Sequence, residues 1–166
     1  GISVQSFTSP GVTYELTGDR LGVSIEKVQQ QPARFDGDRF KIDQLWVNRG
    51  ADEATGREIK VPYYVVYDPT KVSLENNPTP QKTLLTAYAG HGVRTGPSYL
   101  GTGYGKHWLE KGGVYVLANP RGGGEFGQWW YEMSIGTGQK DRTEDFNAVA
   151  EDLIRRGIAA PETLGA

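Results

Sequence analysis

Glycine is concentrated in the middle of this 166-residue chain, where twelve of the 23 glycines lie between residues 90 and 127. The total is about twice the usual share of roughly 7%. Disorder is the simplest explanation for excess glycine, but the same stretch contains Trp108, Tyr115 and Phe126, and Trp129 and Trp130 follow it directly. Disordered tracts lack such aromatic residues. The pattern therefore predicts loops whose backbone turns sharply or approaches another segment closely.

The apolar residues around these loops predict an α/β domain. Residues 83–88 and 114–118 are short apolar runs, typical of strands buried in a parallel sheet. Helices are predicted over about 103–111 and over an apolar stripe, with Gly157 at the C-terminal end of the second. The stripe comprises Phe146, Val149, Ala150, Leu153 and Ile154. Asp141 or Thr143 is expected to cap its start. Alternating strands and helices favour right-handed parallel connections.

The first part of the chain has a different pattern. Residues 42–47 and 61–67 read as the two strands of a β-hairpin with a charged loop between them. The β-like segments before about residue 28 are too few to enclose a core, so we expect them to pack on something outside this chain. Two units are therefore predicted, over 1–28 and 29–166.

Composition excludes several classes of function. Eighteen basic and 20 acidic residues give a net charge of −2, with no basic surface for a nucleic acid. Without cysteine and with only two histidines, the chain has no thiolate nucleophile and no three-histidine zinc site. Its apolar runs are far shorter than the roughly 20 residues that cross a bilayer. We expect no metal, no nucleic acid and no membrane partner. The compartment stays open between cytoplasm and periplasm.

The glycine loops do not fit the phosphate-binding motifs. In residues 101–106, Lys106 occupies the last glycine position of a dinucleotide fingerprint. A P-loop is excluded because Leu100 replaces its first glycine and His107 its Ser/Thr. The sequence therefore predicts no nucleotide and no other cofactor.

The strand order points instead to a hydrolase. In α/β-hydrolases the loop after the third strand supplies an oxyanion donor, and the nucleophile follows the fifth strand in a Gly-x-Ser-x-Gly turn. The predicted strand over 83–88 is the third, and the chain ends where a fifth would begin. None of the seven serines lies in such a turn. We expect the nucleophile beyond Ala166.

Residues 109–127, with the run Arg-Gly-Gly-Gly-Glu-Phe-Gly at 121–127, resemble the stretch before the catalytic serine in the prolyl oligopeptidase family. Segments 30–36, 61–66 and 161–165 agree in the same order. Family members join a β-propeller to an α/β-hydrolase domain and cleave peptides with a Ser-Asp-His triad. The resemblance implies that 1–28 are the last propeller strands. It also implies that 29–166 are the first half of the hydrolase domain, with a mixed sheet that is parallel in its second part.

The resemblance assigns a role to Tyr88. This residue matches the tyrosine of the family's Tyr-Gly-Gly-Phe loop, whose hydroxyl helps to form the oxyanion hole; otherwise it is a strand-end tyrosine packed on the core. The chain departs from the family with Ala89-Gly90-His91. Ala89 is expected to resist positive φ, and His91, a candidate substrate-binding residue, replaces an aromatic wall. The catalytic Ser, Asp and His are implied to lie beyond Ala166.

Two functions remain open: a fragment of a serine peptidase that hydrolyses peptides, or a non-catalytic α/β binding module. If the chain is a fragment of a serine peptidase, the 166 residues alone are expected to be inactive. Arg121 and Glu125 are expected to form an ion pair or a brace for the glycine loop. The strand over 114–118 is expected to have an open edge, which favours self-association or pairing with a complementing C-terminal fragment.

Overall fold

The computed structural model describes residues 1–20, 22–75, 77 and 79–166. The strands are β1 Ile2–Val4, β2 Val12–Asp19, β3 Gly22–Gln30, β4 Lys41–Ala51, β5 Glu58–Tyr67, β6 Thr83–Ala87, β7 Val114–Ala118 and β8 Leu164–Gly165. The α-helices are α1 Gln128–Glu132 and α2 Gln139–Arg155. Single 3₁₀ turns cover Gly37–Arg39 and Gly136–Gly138, and a π-helical turn covers Tyr104–Leu109.

The strands form two separate sheets. β1, β2 and β3 make a three-stranded antiparallel sheet, whereas the other five lie in the order β4-β5-β7-β6-β8. In this second sheet β4, β5 and β7 pair antiparallel, and β6 runs parallel to both β7 and β8. The predicted hairpin is confirmed as β4 and β5. The fold is therefore mixed α/β, with the parallel strands in the second part of the chain.

β7 lies at the centre of the core, and all five of its residues are buried. One face of the sheet packs against α2, where Leu85 and Val116 meet Val149 and Leu153. The opposite face is covered by a second cluster that includes Phe7. A strand with apolar side chains on both faces is what the run over 114–118 predicts.

The predicted helices form with different boundaries. α2 starts at Gln139 with no side-chain cap, so the expected capping by Asp141 or Thr143 is wrong. Gly157 does adopt the left-handed conformation, with φ 71°. Ile154 is 36% exposed and lies at the margin of the buried stripe. Residues 104–109 coil as a π-helix, because the N–H of Glu110 donates to the carbonyl of Gly105 five residues earlier.

The expected open edge on the strand over 114–118 is wrong. β7 is paired on both sides, with β5 and with β6. The crossover from β6 inserts β7 between β5 and β6, a spatial order that sequence order alone does not reveal. On this side of the sheet the exposed edge belongs to β6, since β8 pairs only with Thr83 and Leu84. On the other side β4 is the edge strand.

The N-terminal sheet carries uncovered apolar side chains. Leu16 pairs with Ile25 across β2 and β3, and Val23 is 70% exposed. Every residue of β3 is exposed. This sheet has too little apolar contact to make a core of its own.

A buried ion pair fastens α2 to the loop after β7. Asp145 has no exposed surface, and its two carboxylate oxygens accept hydrogen bonds from Nε (2.8 Å) and Nη2 (2.7 Å) of Arg121. The backbone N–H of Arg121 donates to the same carboxylate at 3.0 Å. Arg49 approaches from β4, with its Nε 3.3 Å from Asp145 Oδ1. One carboxylate thus joins the helix, the loop and β4.

The other end of α2 is fixed by a second buried carboxylate. The hydroxyl of Tyr63 on β5 donates to Asp152 at 2.5 Å, and Nε of Arg156 donates to the same oxygen at 3.0 Å. Burial raises the pKa of the Tyr63 phenol, and the hydrogen bond to Asp152 raises it further. Tyr63 therefore stays a neutral donor through the physiological range. α2 is held at both ends of its buried face.

Replacing Asp145 with asparagine removes the charge that compensates buried Arg121. We expect Asp145→Asn to lower the free energy of unfolding by about 3–5 kcal/mol, because the buried guanidinium keeps only the more distant carboxylate of Asp141, at 3.5 Å and 40% exposed. Glu144→Gln is the matched control, since that side chain is 40% exposed and its loss costs about 0–1 kcal/mol. Urea denaturation measures both. Equal effects at the two positions would contradict a central role for the buried pair.

The open edge of β6 predicts association of the isolated chain. We expect the 166-residue protein to form dimers or larger species at micromolar concentration, because unpaired strand edges recruit other strands. Ala87→Lys places a charge on this edge and should shift the protein towards monomer in sedimentation velocity. Ser98→Lys, in an exposed loop, should not. A wild-type chain that stays monomeric at high concentration would rule out this association.

Candidate functional site

The carboxyl end of β6 opens into a cleft of about 440 Å³. Its wall is formed by the end of β6, the loop after β6, Pro120 and the first turns of α2. The lining residues are Ala87, Tyr88, Ala89, Gly90, His91, Pro120, Arg142, Thr143 and Phe146. Tyr88 and His91 thus lie in the same cleft.

Tyr88 is the first residue after β6, so its backbone is held by the sheet while its side chain extends beyond it. The residue is 52% exposed, and its hydroxyl makes no hydrogen bond within the described part of the chain. Its carbonyl accepts a bond from the Thr95 hydroxyl at 3.3 Å. A core-packed tyrosine would be buried, and Tyr88 is not. Its phenol is free to donate to a group in the cleft.

His91 carries the backbone strain of this loop. It is exposed and has φ 55°, which makes it the one non-glycine residue with positive φ in the described chain. Histidine tolerates the left-handed region better than most side chains. Ala89 has no positive φ, in agreement with the expectation that alanine resists that conformation. The sharp turn lies two residues later, at His91 and Gly92 (φ 65°).

The glycine run at 121–127 packs directly against the loop that carries Tyr88. The N–H of Gly92 donates to the carbonyl of Gly122 at 3.1 Å, and the N–H of Gly124 donates to Val93 at 3.1 Å. A Cβ on Gly124 would lie 2.1 Å from the carbonyl oxygen of Gly92. Only glycine permits this approach. The close backbone contact predicted from glycine content is confirmed here.

Glu125 braces this loop without pairing with Arg121. Its Oε1 accepts bonds from the Thr95 N–H at 2.8 Å and from the side-chain amide of Asn119 at 3.1 Å. Asn119 also donates to the carbonyl of Thr95 at 2.8 Å. The expected Arg121–Glu125 ion pair is wrong, because Asp145 on α2 binds the guanidinium instead. The alternative expectation, a brace for the loop, is confirmed for Glu125.

Arg142 is a cleft residue that the sequence does not reveal. It lies in the first turns of α2, and its Nη1 donates to the carbonyl of Ala89 at 2.8 Å. A single arginine near the start of a helix has no distinguishing pattern. Its position depends on a contact that spans 53 residues of sequence.

The lining of the cleft includes hydrogen-bond donors and basic groups but no serine, cysteine or carboxylate side chain. Ser134, near the glycine run, donates its hydroxyl to the carbonyl of Tyr131. His107 lies in a different pocket, with Lys82 and Trp108. Among the described residues no group of three or more metal-ligating side chains could hold an ion. Such a lining can stabilise negative charge on a molecule bound in the cleft.

No helix in the described ranges is both long and apolar enough to cross a membrane.

Comparisons with known proteins agree on one family. The model of the prolyl oligopeptidase family matches residues 102–166. An uncharacterized peptidase of Sinorhizobium fredii is 37% identical over 162 residues, which are 97% of this chain and 20% of that protein. Protease 2 of Moraxella lacunata is 32% identical over 99% of this chain and 22% of its own length. This chain therefore spans about a fifth of these curated relatives.

A solved structure supports the same comparison. The post-proline cleaving enzyme from Rickettsia typhi superposes with a TM-score of 0.78 and 28% sequence identity. The match covers 98% of this chain and 22% of that enzyme. Both sheets of the present chain therefore have counterparts in about a fifth of that enzyme.

The left-handed backbone of His91 predicts an unusual order of stability among substitutions at this position. We expect His91→Val to be less stable than His91→Gly by about 1–2 kcal/mol, because a β-branched side chain clashes in this region. At Arg94, an exposed loop residue without positive φ, glycine gains no such advantage over valine. Thermal unfolding of the four variants tests this. The same order at both positions would show that His91 is unstrained.

Proposed function

Because this chain belongs to the prolyl oligopeptidase family, we propose that it forms part of a serine peptidase that hydrolyses peptide bonds by Ser-Asp-His acyl transfer. Its part is the first half of the α/β-hydrolase domain, over residues 29–166, with the oxyanion donor Tyr88. Residues 1–28 are the end of a β-propeller. The nucleophile, acid and base come from residues outside these 166.

The position of Tyr88 relative to β8 is the observation that carries this proposal. Thr83 and Leu84 of β6 pair in parallel with Leu164 and Gly165. Parallel strands end at the same edge of a sheet, so a chain that continued in this register would reach the level of Tyr88 about three residues beyond Ala166. The family's serine turn follows a few residues after the Leu-Gly pair. A serine there would attack a carbonyl beside the Tyr88 phenol.

The chemistry of acyl transfer explains why a phenol is useful at this position. Attack on a peptide carbonyl places negative charge on its oxygen, and a donor held ready for that charge lowers the barrier. The Tyr88 hydroxyl has no competing partner among the described residues, and Tyr88 is a half-exposed lining residue of the cleft. It is therefore available to the transition state without first breaking a bond.

His91 is proposed to contact the substrate. It is exposed in the same cleft, and it lies in the turn after β6, where its backbone is left-handed. The family has phenylalanine at the matching position, so an imidazole changes the wall that a substrate side chain meets. We expect His91→Phe to keep kcat nearly unchanged and to alter the preference among peptide substrates.

Removing the hydroxyl of Tyr88 tests the proposed function directly. In the full-length protein that contains this segment, Tyr88→Phe should lower kcat and kcat/KM together by about 10²–10³-fold, because the bond forms chiefly in the transition state. KM should change little. Stability should also be unaffected, since the hydroxyl has no partner in the described structure. Steady-state kinetics on peptide substrates provide the measurement.

Tyr104→Phe is the matched control, because it removes another exposed phenol outside the cleft. Fluorophosphonate should label the full-length protein at one serine and leave the 166-residue chain unlabelled. Full turnover by a well-folded Tyr88→Phe enzyme would show that Tyr88 is not the oxyanion donor. A full-length protein that no fluorophosphonate labels would favour the non-catalytic binding module.

A further inference from the structure

Arg142 differs in its bonding from the arginines that stabilise the fold. Arg39, Arg49, Arg121, Arg155 and Arg156 each lie within salt-bridge distance of a carboxylate. Arg142 has no such partner within the described residues. Its Nη1 donates instead to a backbone carbonyl, that of Ala89, at 2.8 Å. The bond joins α2 to the residue that directly follows Tyr88.

The segment that carries Tyr88 has few other attachments. The Thr95 hydroxyl reaches the carbonyl of Tyr88 at 3.3 Å, and the N–H of Val93 reaches Gly90 at 3.0 Å. Both of these bonds lie within the loop itself. Of the side-chain hydrogen bonds between described residues, only that of Arg142 ties residues 88–91 to an element outside the loop. The loop is otherwise held at its far end, where Gly92 meets the glycine run.

The helix end from which Arg142 extends is itself fixed. Asp145 lies one turn further along α2, on the same face, and binds Arg121 in the core. Residues three apart on a helix are neighbours. The helix turn that carries Arg142 is therefore held by the buried pair, and the Arg142 side chain links that turn to Ala89. Hydrogen bonds and one helix turn thus connect the core to the residue beside Tyr88.

We propose that Arg142 is a positioning residue that fixes the Tyr88 loop for catalysis, an inference that rests on the proposed function of Tyr88. A donor to an oxyanion must be held within about 0.5 Å of its productive place. Displacement by about 1 Å can cost 10²-fold in rate. Arg142 does not need to touch the substrate for this effect. It acts through the Ala89 carbonyl, which fixes the peptide next to Tyr88.

The test uses the full-length peptidase with Arg142→Gln, Arg142→Lys and the control Lys140→Gln. Lys140 precedes Arg142 on the same helix, and its side chain is 81% exposed. We expect Arg142→Gln to lower kcat about 10-fold or more with little change in KM. Arg142→Lys, which keeps a donor and the charge, should recover much of that loss. Lys140→Gln should match the wild type.

A double-mutant cycle separates positioning from other roles. If Arg142 acts through Tyr88, Arg142→Gln should cost less than about 2-fold in a Tyr88→Phe background, because the group being positioned is already gone. Equal losses in both backgrounds would overturn the proposal. A raised KM with unchanged kcat would also overturn it, by making Arg142 a substrate-binding residue. Unchanged kinetics in Arg142→Gln would show it to be an ordinary surface residue.

Hydrogen exchange distinguishes failure of this inference from failure of the proposed function. In the full-length protein, Arg142→Gln should speed amide exchange over residues 88–93, and Lys140→Gln should not. If Tyr88→Phe keeps full turnover, Tyr88 is not the oxyanion donor, yet faster exchange would still support Arg142 as the anchor of the loop. Unchanged exchange in Arg142→Gln overturns the anchor whatever the role of Tyr88.

Discussion

The buried pair of Arg121 and Asp145 is the interaction on which the rest of the domain depends. Burial by itself lowers the pKa of Arg121, but the hydrogen bonds and charge of Asp145 outweigh it and raise that pKa above its ordinary value. The guanidinium therefore stays charged inside the protein. Desolvating two charges is costly, and good geometry with several hydrogen bonds is needed to offset that cost. Here the backbone N–H of Arg121 and the guanidinium of Arg49 complete the set.

This pair orders the cleft because it connects elements that are distant in sequence. Arg121 begins the glycine run, and Asp145 lies in α2, which carries Arg142. The glycine run holds one end of the Tyr88 loop through Gly92, and Arg142 holds the other through Ala89. Strain is confined to His91, between the two attachments. Tyr88 itself is left exposed, which suits a side chain that must reach a reacting molecule.

Two surfaces of the domain have apolar or unpaired groups that the described residues do not satisfy. One is the N-terminal sheet, where Val23 and Ile25 are exposed. The other is the edge of β6 past Leu84. Under the proposed function, propeller strands cover the first and the strand leading to the catalytic serine covers the second. Under that proposal, both surfaces lie where this segment, about a fifth of a larger peptidase, would contact the rest of that protein.

The sequence by itself determined the elements whose causes are local. Apolar runs predicted β6 and β7, the stripe predicted α2, and glycine content predicted loops in close backbone contact. The family motif around residues 121–127 led to the correct family, and the position of Tyr88 at the end of a strand followed from the same reading. These features depend on side-chain pattern and backbone freedom, which a sequence states directly.

Tertiary structure alone decided which distant groups meet. The crossover placed β7 between two strands, so the exposed edge passed to β6. Arg121 pairs with Asp145 rather than with nearby Glu125, because the loop turns its guanidinium towards α2. Positive φ falls on His91 and not on Ala89, since Gly92 must approach Gly122. Arg142 reaches Ala89 across 53 residues. Each outcome depends on three-dimensional proximity, for which local sequence carries no signal.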